Sequence, residues 1–189
     1  MEITEVFYPQ DRAEWRRWLE THHRSGKTEV WIRTFNKASG KASVSYDEMV
    51  EECLCFGWID GSVKKYDDES KVQRITPRRK KSFLSELNRQ RIWKLQRLGL
   101  MTEAGIEAVR SQIGSPDDPL EIPDWILEQL QADPQVWSTF QAFPPLYQRL
   151  KVGWIRETGA PRREEAQKRL DYLLKMTRQG KRYGTEPMK

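Results

Sequence analysis

Residues 45–77, SYDEMVEECLCFGWIDGSVKKYDDESKVQRITP, decide the fold, because they predict one helix followed directly by two strands. Ser45, with Glu48 three residues later, forms the capping-box pattern with which many helices begin. Apolar residues then recur at helical spacing up to Gly57. Glycine commonly ends a helix, because it adopts positive φ angles without strain.

Two runs rich in β-branched and aromatic residues follow, at 58–66 and 71–76, and the polar residues between them predict a hairpin loop. Along an extended strand, side chains alternate between the two faces of the sheet. Strict alternation therefore places these residues on one face of the first strand: Trp58, Asp60, Ser62, Lys64 and Tyr66. Arg74 and Thr76 share a face of the second strand.

The chain before this segment adds one helix and one strand to the pattern. Asp11 caps a predicted helix, residues 28–36 predict a strand, and residues 42–45 predict a short strand that pairs back. Strands and helices do not alternate in a repeating βαβ order. The pattern favours an α+β fold, with a small antiparallel sheet and flanking helices in the N-terminal half and an all-helical C-terminal half.

Helical spacing dominates the rest of the chain, where Ser82 or Ser85 can cap the first helix. The stretch 114–123, which contains Pro116 and Pro119, predicts a mobile linker. We therefore predict three parts: an α+β core over 1–115, a C-terminal helical segment over 120–178 that packs on the core, and a frayed tail over 179–189.

The composition indicates a folded protein with a basic surface. The 189 residues include 8 Trp, 6 Tyr and 6 Phe, which a disordered chain would lack. Lys and Arg number 33 against 28 Asp and Glu, a net charge of +5 that favours anionic partners. With neither a secretory signal nor a run of about 20 apolar residues in view, we expect a cytoplasmic protein without a membrane span.

No pattern of residues predicts a metal site, a cofactor or a catalytic group. The His22-His23 pair points in divergent directions on a helix, and Cys53 and Cys55 lack zinc-site spacing. Nucleophile-elbow and phosphate-loop motifs are absent. The neighbouring carboxylates Glu51 and Glu52 are predicted to lie on the solvated face of their helix. We assign no catalytic residue and expect reduced thiols.

The basic run that follows the second strand predicts an anion site. Arg78 and Arg79 lie shortly before a predicted helix, and helix N-termini with nearby arginines bind anions readily. The predicted ligand-binding residues are Trp58, Asp60, Lys64, Arg74, Arg78, Ser82, Ser85 and Asn88. The alternative is structural: Asp60 pairs with an arginine inside the domain, and the other cations are solvated surface charges.

The same region resembles the bacterial YdeI/OmpD-associated family, also called bacteriocin-protection proteins. The resemblance rests on Cys55-Phe56-Gly57-Trp58-Ile59-Asp60-Gly61, Lys64-Lys65, Arg74, Thr76-Pro77-Arg78, Ser82, Ser85 and Asn88, with later similarities at Met101-Thr102, Pro144-Pro145 and Trp154-Ile155. The chain departs from the family pattern at Phe83-Leu84, where a tryptophan is usual, and in the charge order of 158–165. The resemblance implies a role in envelope stress or bacteriocin protection and no particular reaction.

Three functions remain open at this point. The first is a non-catalytic binding protein whose partner is an anionic small molecule or an acidic protein. The second is nucleic-acid binding through the basic surface, which the mixed charge and the lack of a recognition motif disfavour. The third is an enzyme that acts on a phosphorylated small molecule with Asp60 as base, which requires a concave site.

Overall fold

The computed structural model describes residues 2–158 and 163–184 of the chain. Its elements in chain order are β1 (Val6–Phe7), α1 (Arg12–His22), β2 (Val30–Phe35), a 3-10 turn (Lys37–Ser39), α2 (Tyr46–Cys55), β3 (Trp58–Lys65), β4 (Ser70–Pro77), α3 (Glu86–Arg97), α4 (Glu103–Val109), α5 (Asp124–Gln131), α6 (Pro134–Ala142), α7 (Pro145–Arg156) and α8 (Arg163–Arg178). The α+β class predicted from the sequence is confirmed.

The strands form one sheet in the order β1-β2-β4-β3. The predicted hairpin is β3 and β4, and β2 pairs antiparallel with β4. The short strand β1, which the sequence did not predict, pairs parallel with β2. The predicted strand at 42–45 is wrong: Ser43 Oγ accepts the Phe35 N–H at 2.9 Å, and Val44 N–H donates to Pro9.

The chain divides into two compact units. Residues up to Leu84, together with Arg91–Gly114, form the first unit. Ser85–Gln90 and the chain from Ser115 onward form the second unit, so helix α3 contributes residues to both. The predicted packing of the C-terminal helical segment on the core stays a prediction.

Helices α1 and α2 cover one face of the sheet in the first unit. Trp15, Trp58 and Ile75 are among the buried residues of this core. The predicted solvated position of Glu51 and Glu52 is wrong, because both are buried under α1, where Arg12 and Arg16 bind them.

Helices α5–α8 enclose the core of the second unit, with Phe140, Leu170 and Leu173 at its centre. In the described part of the predicted tail, Tyr183 packs its ring against Tyr147 and Tyr172, while residues 185–189 lie outside the described residues. Among the helices that the structure describes, none has the length and hydropathy that crossing a membrane requires.

Candidate functional site

Strand β3 contains a β-bulge that changes the predicted arrangement of its side chains. Asp60 pairs with Ile75 and Val63 pairs with Gln73, so three steps along β3 match two along β4. An extra residue turns every later side chain to the opposite face. Asp60 and Lys64 therefore lie on opposite faces of the sheet. The prediction that they share one face is wrong.

Asp60 is held by two neutral donors. Its carboxylate accepts hydrogen bonds from Gln73 Nε2 at 2.9 Å and from the Tyr46 hydroxyl at 3.0 Å. Burial, together with the charge of Asp60, raises the pKa of Tyr46 to about 12, so this hydroxyl stays protonated. Within 2–158 and 163–184, Asp60 forms no salt bridge, which argues against the closed Asp60–arginine pair of the structural alternative.

Three other predicted ligand-binding residues, which lie on β3 and β4, make contacts within the first unit. Trp58 is 1% exposed and lies in the core. The guanidinium of Arg74 binds Glu29, with 2.6 Å between Nε and Oε2. Lys64 Nζ lies 5.4 Å from the centre of the Trp31 ring. These contacts give each of the three side chains a structural role. The structure does not bring the three together around one ligand.

The N-terminus of α3 already has side-chain acceptors. Ser85 Oγ accepts the Asn88 N–H at 3.2 Å, and the Glu157 carboxylate accepts the Glu86 N–H at 3.1 Å. A helix terminus whose first N–H groups are occupied offers little to an anion. Ser85 and Asn88 thus have a capping role in the second unit, and the predicted use of this terminus for anion binding is not supported.

Arg78 differs from its neighbours in the basic run. Arg79, Lys80 and Lys81 are exposed, whereas Arg78 is only 9% exposed. Its Nη2 donates to the carbonyl oxygens of Ser82 at 3.1 Å and Phe83 at 2.7 Å, and these bonds fix the loop after β4. Burial lowers the pKa of Arg78, and the charge of Asp60 opposes that shift.

Two of the three guanidinium nitrogens of Arg78 lack a hydrogen-bond partner. Nε and Nη1 are both buried, and no acceptor among the described residues is within reach of either. Buried donors are nearly always paired, because an unpaired one costs about 1–3 kcal/mol. Arg78 therefore has two guanidinium donors that the described protein leaves free to pair with an oxyanion.

Arg78 lies in the wall of an open cleft of about 840 Å³ within the first unit. Three more cations, Arg24, Lys80 and Arg110, line the cleft with it, together with the Ser111 side chain. Two carboxylates on α4 also line it, and one of them, Glu107, binds Arg110 at 2.7 Å. Cationic groups outnumber carboxylates four to two, so the cleft favours anions.

Gly57 positions the two walls of this cleft. Its carbonyl accepts the Arg78 N–H at 2.8 Å, and its φ of +72° ends α2 as predicted. A Cβ atom at this glycine would lie 2.8 Å from the Ala104 carbonyl oxygen, so only glycine lets α4 approach so closely. The sequence signalled Gly57 and the basic run, but it gave no sign that Arg24 and Arg110 would join them.

The cysteines and histidines do not form a further chemical site. Burial raises the pKa of the Cys55 thiol to about 12 and raises that of Cys53 well above its usual value, so neither is a reactive thiolate. One ring nitrogen of His22 and one of His23 contact backbone carbonyls of α1. In the part of the chain that the structure describes, no group of three His, Cys, Asp or Glu side chains is arranged to hold a metal.

Two family models match the chain, one toward each end. The first is described as a domain of unknown function, DUF8412, and it matches residues 7–108, more than half of the 189 residues. The chain belongs to the DUF8412 family. The second model, described as bacteriocin-protection, YdeI or OmpD-associated, matches residues 119–180, and this match confirms the resemblance noted in the sequence.

The DUF8412 region contains the sheet from Phe7 onward, Arg78, and the Cys55–Gly61 motif on which the resemblance was argued. The YdeI or OmpD-associated region contains α5–α8, including the Pro144-Pro145 and Trp154-Ile155 similarities. Of the segment with a different charge order, 159–162 lie outside the described residues. Neither the search of curated proteins nor that of solved structures found a match to the chain.

Proposed function

We propose that the protein is a non-catalytic, cytosolic binding protein that holds an oxyanion in the cleft around Arg78. The family match in the C-terminal half supports a link to bacteriocin protection or envelope stress. The observation that carries the proposal is the buried Arg78 guanidinium, whose Nε and Nη1 lack hydrogen-bond partners at the wall of a cationic cleft.

A phosphate-like group can accept the hydrogen bonds that Nε and Nη1 of Arg78 do not make within the described protein. Nη2 is fixed by two backbone carbonyls, which hold the guanidinium plane in one orientation before a ligand arrives. Nε and Nη1 can each donate a hydrogen bond to an oxyanion from a fixed position, whereas Lys has a single ammonium nitrogen and cannot supply both donors. Lys80 and Arg24, both exposed at the same cleft, add attraction at longer range.

The test is thermal unfolding at low ionic strength with inorganic phosphate or pyrophosphate, and sodium chloride as the ionic-strength control. Binding to the folded state alone raises the melting temperature in a saturable way. Arg78→Lys should abolish this rise, because it keeps the charge but loses the two fixed guanidinium donors. The melting temperature of each variant without ligand measures its folding separately.

A matched pair of lysines separates the cleft from general surface charge. Lys80 and Lys81 are adjacent, exposed and equally charged, but only Lys80 lines the cleft. Lys80→Ala should weaken phosphate binding, whereas Lys81→Ala should leave it unchanged. If wild type shows no saturable rise with phosphate, pyrophosphate or a small organic phosphate, the proposal is wrong. Equal losses in the two lysine variants, with affinity for duplex DNA falling steeply as salt is added, would favour the nucleic-acid alternative.

A further inference from the structure

The two carboxylates that line the cleft indicate that its ligand carries a positive charge as well as a negative one. Glu103 and Glu107 are one turn apart on α4, so they lie on the same face of that helix and both line the cleft. Glu107 is bound by Arg110, with 2.7 Å between Nη2 and Oε2. Glu103 is exposed and has no salt bridge within the described residues.

We infer that the ligand is a small zwitterion, with a phosphoryl group for Arg78 and Lys80 and an ammonium group for Glu103. The inference rests on the proposed function and names the ligand class of the same cleft. A purely anionic ligand would be repelled by Glu103. An ammonium group on the ligand converts that repulsion into attraction and gives the exposed carboxylate a partner.

The dimensions and walls of the cleft agree with a ligand larger than a phosphate ion. Its volume of about 840 Å³ is in the range of sites for small organic molecules. The small side chains of Ala104 and Ala108 line the cleft beside the two carboxylates. They leave room for a short aliphatic link between the phosphoryl and ammonium groups of one ligand.

Two probes that differ only in the ammonium group test the inference. Phosphoethanolamine and ethyl phosphate share the phosphate and the two-carbon chain. Calorimetric titration of the full chain at low salt should give wild type about a fivefold preference for phosphoethanolamine, the effect of one partly exposed ion pair. Glu103→Gln should bring that preference to about one, because its amide is neutral, while ethyl phosphate binding stays at least as strong.

Glu128→Gln is the matched control, since Glu128 is an exposed helix carboxylate outside the cleft, and its preference should equal that of wild type. The melting temperature of each variant without ligand shows whether it is folded. If both probes bind wild type equally, the zwitterion inference is overturned and the proposed function stands. If neither probe, phosphate nor pyrophosphate binds, the proposed function itself is overturned.

A phosphoryl and a primary ammonium group can belong to a free molecule or to a lipid headgroup. Sedimentation with phosphatidylcholine vesicles, with and without phosphatidylethanolamine, distinguishes the two sources. Sedimentation that depends on phosphatidylethanolamine and is lost in Glu103→Gln supports the inference with a headgroup as ligand. Binding of phosphoethanolamine without such sedimentation supports it with a free molecule.

Discussion

At the scale of single residues, Gly57 and Arg78 show what the sequence does and does not reveal. The positive φ of Gly57 was predictable, because the glycine follows an apolar helical stripe and precedes a strand. The burial of Arg78 was not predictable. Four basic residues in a row carry no sign that one of them turns inward, and the prediction treated the run as exposed.

We expect Gly57→Ala to lower the free energy of unfolding by about 2 kcal/mol or more. The cost combines a left-handed backbone for a residue with a side chain, about 1 kcal/mol, with a contact 2.8 Å from the Ala104 carbonyl. Gly26→Ala is the control, because Gly26 also has a positive φ but no atom within 4 Å of the added Cβ. Urea unfolding measures both, and equal losses would show that the close approach does not matter.

At the scale of elements, one pair of helices is joined by charges that the sequence pattern predicts to lie in solvent. Helix α1 lies against α2, where Arg12 Nε and Arg16 Nη1 donate to the Glu52 carboxylate at 2.6 and 2.9 Å. Glu52 is 1% exposed, although the helical spacing of the sequence predicted that it lies on the solvent-exposed face of α2. The β-bulge in β3 was equally hidden, because one extra residue in a polar strand leaves no mark on the hydrophobic spacing.

We expect Glu52→Ala to destabilise the first unit by roughly 2 kcal/mol. Breaking a buried ion pair usually costs more, but the Arg12 and Arg16 side chains are about 30% exposed and can regain water. Glu20→Ala removes the other, exposed carboxylate partner of Arg16 and should cost about 0.5 kcal/mol or less. Chemical unfolding of the two variants would contradict this account if Glu20→Ala proved the more damaging.

Two helix N-termini in the second unit have carboxylate caps whose pKa values shift in opposite directions. Burial raises the pKa of Glu157, which caps α3, although the Glu86 N–H opposes the shift. The backbone N–H of Val136 lowers the pKa of Asp133, which caps α6, and the partial burial of the carboxylate opposes that shift. A raised carboxyl pKa makes the folded state bind the proton more tightly, so stability falls as pH rises through that range.

Glu157→Gln should therefore gain melting temperature relative to wild type as the pH rises from 4 to 7. The glutamine oxygen can still accept the Glu86 N–H, and no buried charge remains. Asp133→Asn should show the opposite sign in the acid range below about pH 4, where it loses stability relative to wild type as the pH rises, because ionised Asp133 is favoured in the folded state. Melting curves at several pH values test both, and parallel curves for Glu157→Gln and wild type would refute the prediction.

At the scale of the whole molecule, the fold class could be predicted from the sequence. The assignment of residues to the two units could not. Periodicity of two and of 3.6 residues identified the hairpin and the helical half. Helix α3 reads as one uninterrupted helix, so nothing in it indicated that Ser85–Gln90 belong to the second unit. The cleft could not be predicted from the sequence either, because Arg24, Arg78 and Arg110 come together from three distant parts of the chain.

Limited proteolysis should cut the intact protein first within 114–123, where the connecting loop is largely exposed. The N-terminal fragment would then still contain Ser85–Gln90, which belong to the second unit and supply Glu86 to the Glu157 carboxylate. We therefore expect the two fragments to remain associated after cleavage and to elute together in gel filtration without denaturant. The isolated C-terminal fragment, lacking these six residues, should be less stable than the nicked complex. Fragments that separate and each melt cooperatively would show instead that the chain is two independent domains.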